Sequence, residues 1–339
     1  MELDQIETFV AIVRRGSFTD AGTVLALSQP AVSRRIDLLE HALGASVFER
    51  TRGGILLTDA GRAFLPYAET LLASMRDGMA AVRALEGHDH GAMTLAVVGT
   101  LASTSLTGCL RSFRAAYPRV ELRVRTALSR EVSALVRRGD ATLGLRYDVD
   151  ADPELVCRTV HRDSMVPVCS AAHPLARRGP LRPNALRGET WVAFPARRGA
   201  DGEPYTLTIE GRLAAAGLGG AEIIPIDSLT AQKRMVEAGF GLRLFPLSSV
   251  DEELRAGTLR RLSVRALHAT IDVVMIHRRR AYLSGATQRM MAALTQWAGR
   301  PTTAAATVRE SANRRGARTA GPRTRRARPG SRSAGRGGS

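Results

Sequence analysis

At 339 residues with 44% hydrophobic side chains, the chain is too long for one small core and apolar enough to bury two or more lobes. Its longest apolar runs, residues 93–98 and 271–276, fall short of the roughly 20 that span a bilayer, and no secretory leader is read at the N-terminus, so a cytoplasmic location without a membrane partner is expected. The formal net charge of +17 implies an acidic partner, but residues 300–339 hold eleven arginines against one acid while residues 1–87 hold nine against eleven acids.

Helical periodicity runs from Leu3 to Val13 and stops at Gly16. Ser17 then reads as an N-cap, with Asp20 three residues later, ahead of Ala21 and Leu25. A third helix opens at Ser28-Gln29-Pro30, where serine caps and proline suits the first turn. Its apolar residues Val32, Ile36, Leu39 and Leu43 share one face, and Gly44 closes it. Residues 47–50 and 55–58 are short extended runs joined through Arg52-Gly53-Gly54, the pattern of a hairpin.

From residue 58 to about 86 the chain reads as one long helix. Leu65, Ala68, Leu72, Met75, Met79 and Val82 repeat at coiled-coil spacing, which predicts a seam against a partner helix. Gly78 within it costs roughly 1 kcal/mol relative to alanine. Gly87-His88-Asp89-His90-Gly91 reads as a hinge, its histidines solvated rather than metal-bound.

Strands and helices then alternate: an apolar run over 93–99, a helix over 105–117, a strand over 120–126, and a strand over 141–146 after a helix ending at Gly139. The phrase recurs where a helix ends at Gly239 and leads into a strand over 241–245. Two such α/β lobes predict a ligand cleft outside the carboxyl ends of their strands. Cys109, Cys157 and Cys169 lack metal spacing and read as small buried hydrophobes, with a redox pair of Cys157 and Cys169 as the alternative. From residue 300 onward the near absence of large apolar residues predicts a disordered tail.

Residues 17–61, SFTDAGTVLALSQPAVSRRIDLLEHALGASVFERTRGGILLTDAG, resemble the DNA-binding signature of LysR-type transcriptional regulators. The order that follows is similar to that family over about residues 1–298, and Ile226-Asp227-Ser228-Leu229-Thr230 and Val236-Glu237-Ala238-Gly239-Phe240-Gly241 resemble its second lobe. The resemblance implies an α/β protein with a winged helix-turn-helix (1–58), a linker and dimerisation helix (59–87) and an effector-binding domain (92–298) of two Rossmann-like lobes of periplasmic-binding-protein type. Lobe I is read as 92–161 with 269–298, lobe II as 162–268, and 300–339 as the tail. It also implies double-stranded promoter or operator DNA as partner, a small-molecule effector, and assembly as a homodimer or homotetramer.

With Val32 and Ile36 inward, Gln29, Ser33 and Arg34 project outward from the start of the third helix, flanked by Ser28 and Pro30. Gln29 suits adenine, Arg34 guanine or phosphate, and Ser33 phosphate, while Arg50, Thr51 and Arg52 on the wing hold the flanking backbone. Arg35 has a weaker claim. Two departures from the family pattern stand out: Asp20 and Gly22 in the second helix, expected to weaken backbone contact and helix stability, and Arg243 in a strand, expected either to need a buried acid or to point into the cleft. Thr100, Ser103, Thr126, Ser129 and Arg146 are expected on the carboxyl edge of the first lobe, and Ser228 and Thr230 across the cleft, holding a polar or anionic effector. No phosphate-loop, dinucleotide, nucleophile-elbow or zinc-protease motif supports an enzyme, and no metal or cofactor is expected. An exported solute-binding protein would lack the helix-turn-helix. An architectural nucleic-acid protein using the arginine tail is the remaining alternative.

Overall fold

Helix α1 (Leu3–Arg15) buries Ile6, Phe9, Val10 and Ile12 because they fall on one helical face, and the backbone turns out of it at Gly16. The computed structural model describes residues 1–51, 54–85, 92–102, 104–195 and 209–298. Helix α2 (Phe18–Leu25) starts at Ser17, whose hydroxyl accepts from the amides of Thr19 and Asp20. Helix α3 (Gln29–Leu43) buries Val32, Ile36 and Leu39 against α1. Strands β1 (Phe48–Thr51) and β2 (Gly54–Leu57) pair antiparallel, with Phe48 opposite Leu57 and Thr51 opposite Gly54, as the hairpin pattern predicts. Glu40 fixes the wing to α3 by accepting from the Val47 amide at 2.7 Å, and Phe9 meets Phe48 and Phe64 at ring-centroid distances of 5.3 and 5.4 Å.

Gly22 is a correction to the sequence reading. A Cβ there would lie 2.8 Å from the Leu27 carbonyl oxygen, so the missing methyl lets the turn between α2 and α3 close rather than merely weakening α2.

Helix α4 (Asp59–Leu85) carries Pro66 in its interior, on the exposed side. The continuous seam predicted for it is divided. Ala68 is buried in the N-terminal core and Leu65 and Leu72 pack against the same core, so these positions are already covered by the chain's own head.

The first lobe is built from β3 (Ala92–Val98), α5 (Thr104–Ala116), β4 (Glu121–Ala127), α6 (Ser129–Arg137) and β5 (Leu143–Tyr147). Strand β6 (Leu155–Ser170) runs on into the second lobe, which adds β7 (Trp191–Ala193), α7 (Ile209–Ala215), β8 (Ile223–Pro225), α8 (Leu229–Glu237), β9 (Arg243–Pro246), α9 (Asp251–Ala256) and β10 (Leu259–Arg261). Strand β11 (Ala269–Arg278) returns to the first lobe and α10 (Gly285–Ala298) packs on α5. The main sheet has the order β10-β6-β11-β5-β3-β4, with β9 also on β6. It is mixed: β3 is parallel to β4 and β5, while β11 is antiparallel to β5 and β6.

Each lobe has its own core, one around Leu95, Leu143, Val274 and Met290, the other around Trp191, Leu213, Leu244 and Leu262. The sixteen-residue β6 is shared, its outer half pairing with β11 and its inner half with β9 and β10. Cys157 and Cys169 lie twelve residues apart on it, roughly 40 Å at strand rise. A disulfide needs Cα atoms within about 7 Å, so the two cannot pair within one chain.

Candidate functional site

Two sites emerge, one on α3 and one between the lobes. On α3, burial of Val32 and Ile36 leaves Gln29, Pro30 and Arg34 exposed and Ser33 half-buried, as the periodicity requires. Ser28 sits at the N-cap with extended backbone, but its hydroxyl makes no capping bond, contrary to the sequence expectation. Ser28 and the start of α3 thus present polar groups on one surface. Arg35 is tied down, pairing with Asp4 at 3.0 Å and donating to the Thr8 hydroxyl at 3.3 Å. Thr51 is exposed at the wing and donates to the Gly54 carbonyl; Arg52 and the side chain of Arg50 lie outside the described residues.

Between the lobes lies a cleft of about 640 Å³. From the first lobe it is lined by Thr100, Ser129, Ser133 and Tyr147, from the second by Val192, Phe194 and Arg243, and along the crossing strands by Met165 and Ile271. Thr100 stands in a single 3-10 turn after β3, one turn before α5, and donates to the Tyr147 hydroxyl at 2.9 Å. Ser129 opens α6, is buried, and accepts from the Tyr147 amide. Burial pushes the Tyr147 phenol well above its ordinary pKa, so it remains a neutral donor and acceptor.

Arg243 enters the cleft from β9, only 6% exposed. It donates to the Gln232 side chain and stacks against Phe245 and Phe194, at 4.3 and 5.0 Å from their ring centroids. Among the described residues its Nε is buried without a hydrogen-bond partner. Burial pushes its pKa down to about 9, which still leaves it a cation at neutral pH. Of the two fates expected for this residue, the cleft is realised.

Other expected cleft residues lie elsewhere. Arg146 is buried, but its guanidinium turns to Asp150 and the Ser133 hydroxyl, and it does not line the cleft. The chain reverses after β5 through Asp148, at a left-handed φ of 57°, and this brings Asp150 back onto Arg146. Thr126 is exposed on the edge strand β4. Ser228 caps α8 by accepting from the Ala231 amide, and both it and Thr230 are exposed outside the cleft. Ser103 and the predicted hinge histidines lie outside the described residues. The sequence reading does not include Tyr147, Ser133 or Phe194: Tyr147 directly follows Arg146 at a strand end and Ser133 lies one turn along the helix from Ser129, while no sequence signal marks Phe194.

Residues 3–62 match the family model described as bacterial regulatory helix-turn-helix protein, lysR family, and residues 86–299 match the LysR substrate binding domain. The chain belongs to the LysR family of transcriptional regulators. This LysR-family chain is 30% identical over 292 residues to the HTH-type transcriptional regulator CbbR of Rhodospirillum rubrum, covering 86% of this chain and 95% of that protein. Among solved structures, a full-length OxyR variant of Pseudomonas aeruginosa superposes with a TM-score of 0.65 at 17% identity, covering 88% and 94% of the two chains. Full-length CbnR, solved in complex with its target DNA, superposes with a TM-score of 0.58 at 22% identity, covering 88% and 100%. These likenesses in structure establish the fold.

In this LysR-family regulator the large apolar residues of α4 that remain exposed among the described residues are Tyr67, Leu71, Met75, Met79 and Val82. Met75, Met79 and Val82 belong to the predicted seam. Beside them, an ion-pair cluster joins the head to the first lobe: Arg14 to Asp140, Arg138 to Glu69, and Arg278 to Asp77 at 3.2, 3.7 and 2.8 Å. Burial raises the Glu69 carboxyl above its ordinary pKa, against the opposing pull of Arg138, Arg14 and Arg137. Cys169 is buried, its thiol pushed up to about 11 by burial and by Glu189. Among the described residues no helix is long and apolar enough to cross a membrane, and no cluster of three metal-binding side chains occurs.

Proposed function

We propose that this regulator reads operator DNA with the exposed start of α3 and the wing, and that a small effector in the cleft between the lobes alters its hold on that DNA. The DNA-contacting set is Ser28, Gln29, Pro30, Ser33 and Arg34, with Arg50, Thr51 and Arg52 on the backbone beside it. Gln29 and Arg34 present amide and guanidinium groups at the end of the helix that enters a major groove. The effector set is Thr100, Ser129, Tyr147 and Arg243. The observation that carries the reading is the cleft itself, about 640 Å³ with polar groups from both lobes converging on mostly apolar walls. The working unit is a homodimer formed over Met75, Met79 and Val82, whose exposed apolar row on α4 suits a second copy of the helix.

Selection from random double-stranded DNA with the full chain is expected to recover a short site with two related halves. Uniform coating without a consensus would support architectural binding instead. For the effector, Ala134→Trp fills the cleft from the half-buried face of α6. A metabolite fraction that changes operator affinity of the wild type should leave this variant unmoved. A variant that still responds places the effector elsewhere.

A further inference from the structure

The charges around the cleft are unevenly settled. On the first lobe Arg146 is held by Asp150 and Arg137 by Asp152 at 3.3 Å. Asp163, the buried carboxylate of β6, accepts from the Ser164 amide and from the Ser248 hydroxyl. Arg243 has no such settlement: among the described residues its guanidinium donates one hydrogen bond, to the neutral Gln232 side chain, and pairs with no carboxylate. Two aromatic rings stack against it, and cation–π contact compensates only part of a buried charge. A buried, half-satisfied cation facing a cavity is a site whose missing partner is an anion.

The chemistry of that anion follows from the same surroundings. A guanidinium presents a flat fork that matches a carboxylate. Of the arginines that line the cleft Arg243 alone is buried, Arg137 and Arg212 being half-buried and Arg130 exposed, so the buried charge in need of a partner calls for a single negative charge. Phe194, Met165 and Ile271 offer carbon surface rather than further donors. On the other side, the Thr100–Tyr147 hydroxyl pair and Ser129 can receive a second, uncharged polar group.

We propose that the cleft ligand is an organic monocarboxylate whose carboxylate docks on Arg243 and whose carbon body lies against Phe194, Met165 and Ile271. This rests on the reading of the cleft as the effector site and assigns the charge recognition to the second lobe. Because Arg243 stands on β9 and the hydroxyl pair on the first lobe, one ligand that engages both draws the lobes together.

The test is thermal melting of the full chain with acetate, propionate and benzoate at millimolar concentration, each against its uncharged amide, and with inorganic phosphate. At least one acid should stabilise the wild type and none of the amides should. Arg243→Lys keeps the charge but loses the fork and should bind more weakly; Arg243→Met should bind roughly tenfold to a hundredfold more weakly, the worth of a charge-assisted hydrogen bond. Stabilisation by amide or phosphate equal to that by the acid overturns the proposal, as does the absence of any effect from all three acids. Without ligand, Arg243→Met should melt at or above the wild-type temperature, since an incompletely paired buried cation is removed. A large fall there would make Arg243 a structural group and also overturn it. Ala134→Trp separates the two failures. An acid that binds Arg243→Met but not Ala134→Trp leaves the cleft reading standing without Arg243; one that binds Ala134→Trp as the wild type does lies outside the cleft.

Discussion

Arg14, in the last turn of α1, pairs with Asp140, just beyond α6, at 3.2 Å. The pair links the head that carries α3 to the lobe that supplies Ser129 and Tyr147 to the cleft. Arg76 of α4 approaches the same Asp140 oxygen at 3.6 Å and donates to the Arg138 carbonyl at 2.7 Å, so three elements converge on one turn. A double-mutant cycle with Arg14→Ala and Asp140→Ala should give a coupling energy of about 0.5–1 kcal/mol in urea unfolding, the range for partly exposed pairs. Strict additivity would mean that the contact joins nothing energetically.

Gln29→Ala and Arg34→Ala should each cost roughly 1–3 kcal/mol on selected DNA and far less on random DNA. Arg35→Ala is the control: its side chain is engaged by Asp4 and Thr8, so discrimination should survive while the head loses less than about 1 kcal/mol of stability. Ser28→Ala should leave stability nearly unchanged, because the hydroxyl caps nothing, and should weaken DNA binding uniformly across sequences. Equal losses on both DNAs for Gln29→Ala would remove base reading from α3.

The seam divides into two kinds of position. Met79→Asp, on an exposed residue, should give monomers by light scattering while the melting temperature holds. Leu72→Asp should instead lower the melting temperature, since Leu72 packs on the head core. A dimer that persists in Met79→Asp would move the interface off α4.

The head was legible because its signals are local. Val32, Ile36 and Leu39 repeat within α3, and Gly16 and Ser17 mark the end of α1 and the start of α2, signals carried by the local chain itself. The order of strands and helices in the lobes could be read the same way. What failed in the cleft depended on tertiary return. Arg146 reads as the anion-binding cation because it lies at a strand end, but Asp150 folds back onto it through the turn at Asp148, which no periodicity encodes. Thr126 also ends a strand, yet β4 is the sheet edge and leaves it in solvent. Arg243 was visible only as a departure, a charge where a small or apolar side chain was expected, and such departures mark functional or strained positions.

Two carboxylates give the stability of this protein opposite dependences on pH. The Glu69 carboxyl is raised above 4.5, first by burial, so the folded state binds its proton more readily than the unfolded chain. Its contribution is full below 4.5 and is lost as pH rises through the raised value. Asp150 is the reverse case. Burial alone would push it up, but the Ser133 hydroxyl, the Asp152 amide and the Arg146 charge together outweigh that and hold it below 3.8. Its contribution is present above 3.8 and is lost as pH falls through the lowered value. Urea unfolding of Glu69→Gln across pH 4 to 7 should therefore lack the decline expected of the wild type on the upper side of 4.5. Asp150→Asn should lower stability at neutral pH by roughly 1.5–3 kcal/mol, the worth of a hydrogen bond to a charged group, because Arg146 loses its carboxylate partner, and should lose less than the wild type below pH 3.8. That acid limb does not vanish, since Glu237 is also held low, chiefly by the hydrogen bond from Thr258. An unchanged slope above 4.5 in Glu69→Gln would show that its carboxyl is solvated in the folded protein, and the buried corner between α4 and the first lobe would then be open to water.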